Sequence, residues 1–224
     1  ESQSLRVSES PTPFFHFWIF IVDFFIFKNT SMCDNVEMGR KYASKNRKNN
    51  IRPIMNPRKI WSLIVFGFEI NMLKLHMMTI DPYVHEFIVA ESTIRFQTNK
   101  KKAALLSSNI KDFPPSIQKK TNISVIQKLF NCPRTVKGFS PRCFQKQQRY
   151  ETLRLFLKRS SHDLDIAIVS DVDEIPKPEY LNTLRYCNFD SIILTAHQFK
   201  YGTHCDSGVS WYEGPKLYSR NWLN

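Results

Sequence analysis

The sequence predicts an α/β protein, a single domain with a mostly parallel sheet flanked by helices and preceded by an N-terminal extension. One observation is the run Ile166–Val169, which is apolar and mostly β-branched, as is typical of a strand buried on both faces of a parallel sheet. A second is that such short runs alternate with longer segments of helical periodicity. Both indicate βαβ units, because parallel neighbours need a crossover connection, usually a helix.

Length and charge limit the classes of function. The chain has 224 residues, 42% of them hydrophobic, which suffices for one sizeable core. A formal charge of +12 indicates an anionic partner, such as nucleic acid, a membrane surface or a diphosphate. Lys and Arg are dispersed, with concentrations at Arg40–Lys59 and Lys100–Lys102, and neither zinc-finger spacing nor an RNA-binding aromatic motif occurs. We therefore expect no nucleic-acid partner.

Residues 1–56 are predicted to be an extension, and residues 57–224 the folded domain. Within the extension, Phe14–Phe27 is mostly aromatic or β-branched, but it contains Asp23 and is shorter than the roughly 20 residues of a spanning helix. A degraded membrane anchor and an unstructured extension both stay open as interpretations. The stretch Asn29–Pro57 has the Lys-, Arg-, Asn- and Ser-rich composition of a solvated linker.

The domain itself is predicted to alternate strands with helices. In order, these are strand Ile60–Phe66, helix Glu69–Thr79, strand Phe87–Ala90, helix Gln145–Arg159, strand Ile166–Val169, helix Glu179–Tyr186 and strand Ser191–Ala196. The strands are short β-branched or aromatic runs. In the longest helix Tyr150, Leu153 and Leu157 recur at helical spacing, which predicts an apolar stripe beneath a basic face.

The most informative stretch follows the strand Ile166–Val169. Asp171, Asp173 and Glu174 come within four positions just past its carboxyl end, where open α/β sheets bind ligands. Like charges this close repel one another, so the cluster is stable mainly when a cation or strong donors neutralise it. Pro176 and the proline two positions on stop the strand and stiffen the turn. The pattern predicts a divalent metal site.

Three other interpretations apply to this stretch. A solvated loop that caps the next helix also fits, since Asp and Glu are common at helix starts. An EF-hand loop counted from Asp171 needs Gly at its sixth position and Glu at its twelfth, but the chain has Pro176 and Asn182 there. Aspartyl-phosphate phosphatases usually have Thr or Val where Ile175 stands, and their motif opens the domain.

The wording Asp-Val-Asp-Glu-Ile-Pro resembles glycosyltransferase family 17. Three more stretches are similar to that family. Arg58–Leu75 looks like its opening strand and helix, and Val84–Phe96 like its second strand with a terminal Glu-Ser. Gln148-Arg149 looks like the pair before the acidic strand. Four matches in order over Arg58–Pro178 are specific.

The resemblance implies a GT-A-like, Rossmann-like fold and an inverting, metal-dependent glycosyltransferase with Mn2+ or Mg2+ as cofactor. It further implies UDP-GlcNAc as donor, a glycan or glycoprotein as acceptor, N-glycan processing as the role, and a Golgi or other secretory-pathway membrane as the location, with the domain in the lumen. Departures from the family pattern at Gln97–Ala103 and around Arg142–Phe144 keep a second hypothesis open, an inactive relative that binds sugar or metal. The family's domain continues beyond Asn224, so we expect the domain to be incomplete at this end.

Candidate site residues follow from position and chemistry. Asp173 is assigned to direct metal contact, Asp171 to ribose or to the metal through water, and Glu174 to orienting them. His197 resembles a His of animal members and could touch metal, whereas a lone His is more often structural. The remaining assignments are Glu69 and Glu91 to uracil, ribose or sugar hydroxyls, Arg149, at a predicted helix start, to diphosphate, Trp211 to a sugar ring, and Glu213 to the catalytic base.

Cysteines and sequons add little. The five cysteines show no CxxC pair, which disfavours a metal-thiolate site. A Cys132–Cys143 disulfide and free buried thiols both stay open. The triplets at Asn29 and Asn122 permit glycosylation in a secretory lumen.

Overall fold

The computed structural model describes residues 18–22, 52–94, 101–127, 134–135, 138–139, 141–194, 196–200, 206–211 and 214–223. The strands are β1 Trp18–Val22, β2 Arg52–Pro53, β3 Ile60–Phe66, β4 Glu86–Ser92, β5 Thr121–Ile126, β6 Arg134–Thr135, β7 Gly138–Phe139, β8 Ile166–Asp171, β9 Glu174–Pro176, β10 Cys187–Asn188, β11 Ser191–Ile193, β12 Ala196–Lys200, β13 Asp206–Trp211 and β14 Lys216–Ser219. The helices are α1 Ile70–Ile80, α2 Leu106–Asn109, α3 Pro115–Lys119, α4 Pro141–Arg159, α5 Pro178–Leu184 and α6 Arg220–Leu223, with short 3-10 turns at Asp81–Tyr83 and Ile110–Asp112.

A six-stranded sheet organises the domain, in the order β11-β14-β8-β3-β4-β5. Strands β8, β3, β4 and β5 pair in parallel, and β14 runs antiparallel between β8 and β11. The order changes direction at β3, because β4 and β5 are added on one side of it and β8 on the other. This mixed α/β architecture confirms the predicted fold class, a mostly parallel, GT-A-like sheet with helices.

Helices cover both faces of this sheet. Ile60, Ile64 and Phe66 of β3 point to the face that α1 and α5 cover, whereas Trp61 and Leu63 point to the face under α4. All of β3 and β4 is buried. At about 1.5–3 kcal/mol for each large apolar side chain, burial of these alternating residues is the main favourable term that holds the layers together.

Predicted and observed elements differ in three informative places. Helix α4 begins at Pro141 rather than at residue 145. Its buried face carries Phe144, Gln148, Thr152 and Phe156, while Tyr150, predicted to be buried, is 70% exposed. The predicted stripe was therefore partly wrong, because two polar residues occupy the buried face. The strand predicted over 191–196 ends at Ile193, and Ala196 begins another strand.

A second sheet has the order β13-β12-β1-β9. Strand β1, from the aromatic segment near the N-terminus, pairs in parallel with β9 and antiparallel with β12. The chain just after the acidic turn is thereby hydrogen-bonded to the N-terminal extension.

Of the helices in the described residues, none has the length and apolar character to cross a membrane. Both the domain boundary near residue 56 and the anchor stay predictions.

Cysteines and one sequon also have defined surroundings. Cys143 and Cys187 are disulfide-bonded, so the free-thiol interpretation is wrong for these two, while Cys132 lies outside the described residues. Asn122 lies in β5, and its side-chain amide donates to the carboxylate of Glu86. A glycan on Asn122 would compete with that hydrogen bond.

Candidate active site at the carboxyl edge of the sheet

The carboxyl ends of β3, β4 and β8 meet at one edge of the sheet, because these strands are parallel neighbours. In open α/β sheets, ligands bind in the crevice where the strand order reverses. That crevice lies here between β3, which leads to Glu69, and β8, which ends at Asp171. Glu69 lies close enough to Asp173 for its charge to raise the pKa of Asp173. Glu69, Asp171 and Asp173 therefore share one site.

Backbone hydrogen bonding sets the shape of the acidic turn. Strand β8 ends at Asp171, Val172 and Asp173 make the turn, and β9 resumes at Glu174. The backbone N–H of Asp171 donates to Glu174 Oε2 at 3.0 Å, which closes the turn on itself. Glu174 is 6% exposed and holds the turn through this hydrogen bond, and its predicted role in orienting metal ligands stays a prediction.

Two carboxyl groups of this turn have raised pKa values. The pKa of Asp173 is raised to about 6, mainly by burial and also by the charges of Asp171 and Glu69. Burial, with the charges of Asp171 and Asp173, raises the pKa of Glu174 to about 7, against the lowering effect of Arg149. A raised pKa means that the ionised carboxylate is disfavoured where it lies, and a bound cation would favour the ionised form.

Arg149 contacts the turn, but not from a helix start. Its Nη2 donates to Asp171 Oδ1 at 2.7 Å. Because α4 begins at Pro141, Arg149 lies two turns inside the helix, and the predicted contribution of the helix amino terminus at this residue was wrong. The side chains of Arg149 and Asp171 are 37% and 30% exposed, so the guanidinium keeps donors free for solvent or a ligand.

Glu91 has a role other than the predicted one. Its side chain is completely buried, and it accepts hydrogen bonds from the backbone N–H groups of Leu105 at 2.6 Å and Leu106 at 3.0 Å. Lys102 lies 3.4 Å from Glu91 and also donates to the carbonyl of Gly67. Glu91 therefore holds the segment that follows β4 and does not reach a substrate. Its assignment to nucleotide or sugar hydroxyls was wrong, because its oxygens are enclosed.

Glu69 remains a candidate for substrate contact. It precedes α1, is partly exposed, and accepts the N–H of Phe68 at Oε2, 2.9 Å away. A Cβ atom on Gly67 would come within 3.1 Å of the same oxygen, so a larger residue there would crowd the carboxylate. Phe68 itself is 59% exposed at the mouth of the crevice.

Two buried polar residues without a predicted role also form hydrogen bonds at this edge of the sheet. Gln148 donates from its amide nitrogen to the carbonyls of Phe66 at 3.0 Å and Ala90 at 2.9 Å, which ties α4 to the ends of β3 and β4. His76 of α1 lies 3.0 Å from the carbonyl of Val172 through Nδ1. Gln148 stands next to Arg149 in the Gln-Arg pair, which was a usable signal, whereas His76 offered only a histidine on an apolar helix face.

The other candidates lie where side chains are not described. His197 is inside β12, not after a strand as predicted, and its backbone pairs with Ile21 and Ser210. Trp211 ends β13, opposite Ala196. Glu213 lies outside the described residues. The roles of these three residues stay predictions.

The acidic turn supplies some, but not all, of the ligands that a divalent cation needs. Oxygen donors are present, and no cation of the described residues is among the causes that act on the pKa of Asp173, which burial raises to about 6. Within the described part of the chain, however, no three His, Cys, Asp or Glu side chains converge as a ligand set. A cation held by one or two carboxylates, with diphosphate oxygens and water completing its sphere, is the usual arrangement for Mg2+ at phosphate sites. The residues fit that arrangement.

Comparison with known proteins gives one positive finding. The family model described as glycosyltransferase family 17 matches residues 32–217, a range that includes five strands of the six-stranded sheet in full and the first half of β14. No curated protein gives a significant match.

Proposed function

The chain belongs to glycosyltransferase family 17, and from this premise we propose that it is a metal-dependent, inverting enzyme that transfers N-acetylglucosamine from UDP-GlcNAc to a glycan acceptor in N-glycan processing. One observation supports metal dependence above all, the acidic turn at the strand-order reversal, where the pKa of Asp173 is raised to about 6. Membership of the family implies a nucleotide-sugar donor and an acceptor. The uridine base, the sugar and the N-glycan acceptor come from the resemblance.

Each residue at the crevice would have a distinct task. Asp173 and Asp171 would hold Mn2+ or Mg2+, and such an ion supplies Lewis-acid stabilisation of a leaving diphosphate. Arg149 fixes Asp171 and offers its other N–H donors to phosphate oxygens. Glu69 is placed to accept hydrogen bonds from a ribose or sugar hydroxyl. The buried Glu174 sets the shape of the turn through Asp171.

Inversion requires a base that takes the proton from the acceptor hydroxyl, with no covalent sugar–enzyme intermediate. We assign this role to Glu213 and the stacking of a sugar ring to Trp211, and we keep His197 as a further metal ligand. These assignments rest on sequence position.

We also propose a lumenal location in the secretory pathway, with the Golgi implied by the family. The disulfides at Cys143 and Cys187 support an oxidising compartment, because disulfides are rare in reducing ones. The aromatic segment near the N-terminus remains the candidate anchor.

The test is transfer itself. The protein is incubated with UDP-GlcNAc, Mn2+ and a mannose-terminated N-glycan acceptor, and products are identified by mass spectrometry with and without EDTA. Asp173→Asn should abolish transfer, while the matched control Asp190→Asn, at an exposed turn outside the crevice, should retain it. Nucleotide and metal binding without any transfer would instead favour an inactive, sugar-binding relative, and absence of Mn2+ binding would contradict metal dependence.

A further inference from the structure

A single peptide unit at the centre of the acidic turn is held at both ends. The carbonyl of Val172 accepts a hydrogen bond from His76 Nδ1 at 3.0 Å. The N–H of the same peptide unit belongs to Asp173, and the Asp173 carboxylate accepts a hydrogen bond from it. Because a peptide unit is planar, the direction of the carbonyl determines the direction of the N–H. A contact to one end therefore orients the donor at the other.

We propose that His76 is a positioning residue for the metal-binding turn, and that it acts by orienting the Val172–Asp173 peptide unit so that the Asp173 carboxylate is held for a divalent cation. The inference rests on the function proposed above. A residue of α1, the helix that covers one face of the sheet, would thereby set the orientation of a carboxylate at the edge of the sheet.

The chemistry of the imidazole supports this geometry. A carbonyl oxygen can only accept, so Nδ1 must carry the proton in this contact. Burial lowers the pKa of His76 to about 4, so the ring is neutral near pH 7 and Nε2 is an unprotonated acceptor. Nε2 has no hydrogen-bond partner among the described residues. Leaving an unprotonated nitrogen without a partner costs less free energy than leaving a buried N–H without one.

Because its surroundings are buried, this contact determines the orientation of the peptide unit. His76 is fully buried, and Val172 is 6% exposed within the same apolar cluster as Leu73 and Met77. Water therefore cannot readily replace a lost donor. Without His76 the Val172 carbonyl would be left unpaired or would turn toward another donor, and the second outcome rotates the Asp173 N–H away from its carboxylate.

Three variants separate positioning from simple support of the core. His76→Asn retains a donor at the same distance from the backbone as Nδ1 but leaves unfilled space. His76→Leu restores apolar volume but has no donor. Met77→Ala removes apolar contacts from the same helix and the same cluster but leaves the His76–Val172 hydrogen bond in place, and it serves as the control.

Two measurements are made on the full chain. The first is Mn2+ affinity in the presence of UDP, read from free Mn2+ by electron paramagnetic resonance, beside the free energy of unfolding in urea. The second is amide hydrogen exchange of the peptide covering residues 166–176 without metal or nucleotide. We expect His76→Leu to lose about 10- to 100-fold in Mn2+ affinity, the usual effect of removing a residue that orients a ligand. We expect His76→Asn to stay within about threefold of the parent and to be the less stable of the two.

The outcomes are separable from failure of the proposed function. If Mn2+ affinity across the three variants follows their stability, with Met77→Ala losing as much as His76→Leu, the positioning role is overturned while the metal site stands. If the parent binds no Mn2+ with UDP, the proposed function fails. Amide hydrogen exchange then still tests whether His76 positions the turn. Faster exchange at 171–174 in His76→Leu alone supports the positioning of the turn, whereas equal exchange in His76→Leu and Met77→Ala overturns it.

Discussion

Arg149 Nη2 lies 2.7 Å from Asp171 Oδ1, and this ion pair joins the middle of α4 to the last residue of β8. The positive charge of Arg149 also lowers the pKa of Glu174, so this arginine acts on two carboxyl groups of the acidic turn. The pair is partly exposed, so its contribution to stability is small, and its significance lies in where it holds the carboxylate.

Replacement of Arg149 by Met should therefore affect binding more than folding. We expect the free energy of unfolding to change by less than about 1 kcal/mol, as for other partly exposed ion pairs. The affinity for UDP with Mn2+ should fall at least tenfold, because donors to the diphosphate and the hold on Asp171 are both lost. The measurement is calorimetric titration with UDP at fixed Mn2+. Arg154→Met, which removes an exposed arginine paired with Glu151 on the same helix, is the control. Equal losses in both variants would contradict a specific role for Arg149.

The raised pKa values of Asp173, about 6, and Glu174, about 7, predict a pH dependence of stability in metal-free protein. Both folded-state pKa values exceed the ordinary ones, so between about pH 4 and 7 the folded protein binds more protons than the unfolded chain. The resulting stabilisation is complete below about pH 4 and is lost as pH rises through 6 and 7.

Asp173→Asn isolates one of these groups. The free energy of unfolding of the variant minus that of the parent should be about 1–3 kcal/mol larger at pH 8 than at pH 5, since about two pKa units separate the folded and ordinary values. Urea unfolding with EDTA at the two pH values measures it. A difference in the free energy of unfolding that does not vary with pH would mean that burial does not raise the pKa of Asp173.

Glu91→Gln should destabilise the protein, because an amide cannot accept at both ends from Leu105 and Leu106. Hydrogen bonds to buried charged groups are worth about 1.5–3 kcal/mol, so a loss in this range is expected. Hydrogen exchange should rise across 102–113, while UDP affinity should change less than in Arg149→Met. The control is Glu179→Gln at an exposed position of α5. A large loss of UDP affinity with unchanged stability would restore the substrate-contact assignment of Glu91.

Nucleotide preference tests the donor. UDP with Mn2+ should raise the Tm of the protein more than GDP with Mn2+, because a ligand bound only by the native state stabilises by RT ln(1 + [L]/Kd). Differential scanning fluorimetry at equal nucleotide concentrations measures the shift. Equal shifts with both nucleotides, or shifts that persist in EDTA, would remove the reason for a uridine donor or for the metal.

Limited proteolysis tests the boundary of the domain. The linker composition predicts first cuts between Asn29 and Pro57, followed by a resistant product. Because β1 is bonded to β9 and β12, the N-terminal fragment should stay with the nicked protein under native conditions and separate in denaturant. Early cuts within Ile60–Ala90 would contradict the proposed boundary.

The fold class and the position of the acidic turn at a strand end were readable from the sequence, because both depend on local pattern. A strand buried on both faces must be apolar throughout, so Ile166–Val169 was recognised, and the observed strand extends it only to Asp171. Strand Ile60–Phe66 was predicted with its observed bounds. The acidic residues were found for the same reason, since a strand end is marked by the abrupt change to charge.

The tertiary structure alone decided what those charges touch. Glu91 and Glu69 follow similar strands in the sequence, yet one is sealed by Leu105 and Leu106 and the other faces the crevice. His76 and Val172 are 96 positions apart, and only the packing of α1 on the sheet brings them within 3.0 Å. Periodicity reports which face of an element is buried. It carries no information on which distant carbonyl a buried donor meets, because that depends on the relative placement of elements formed far apart in the chain.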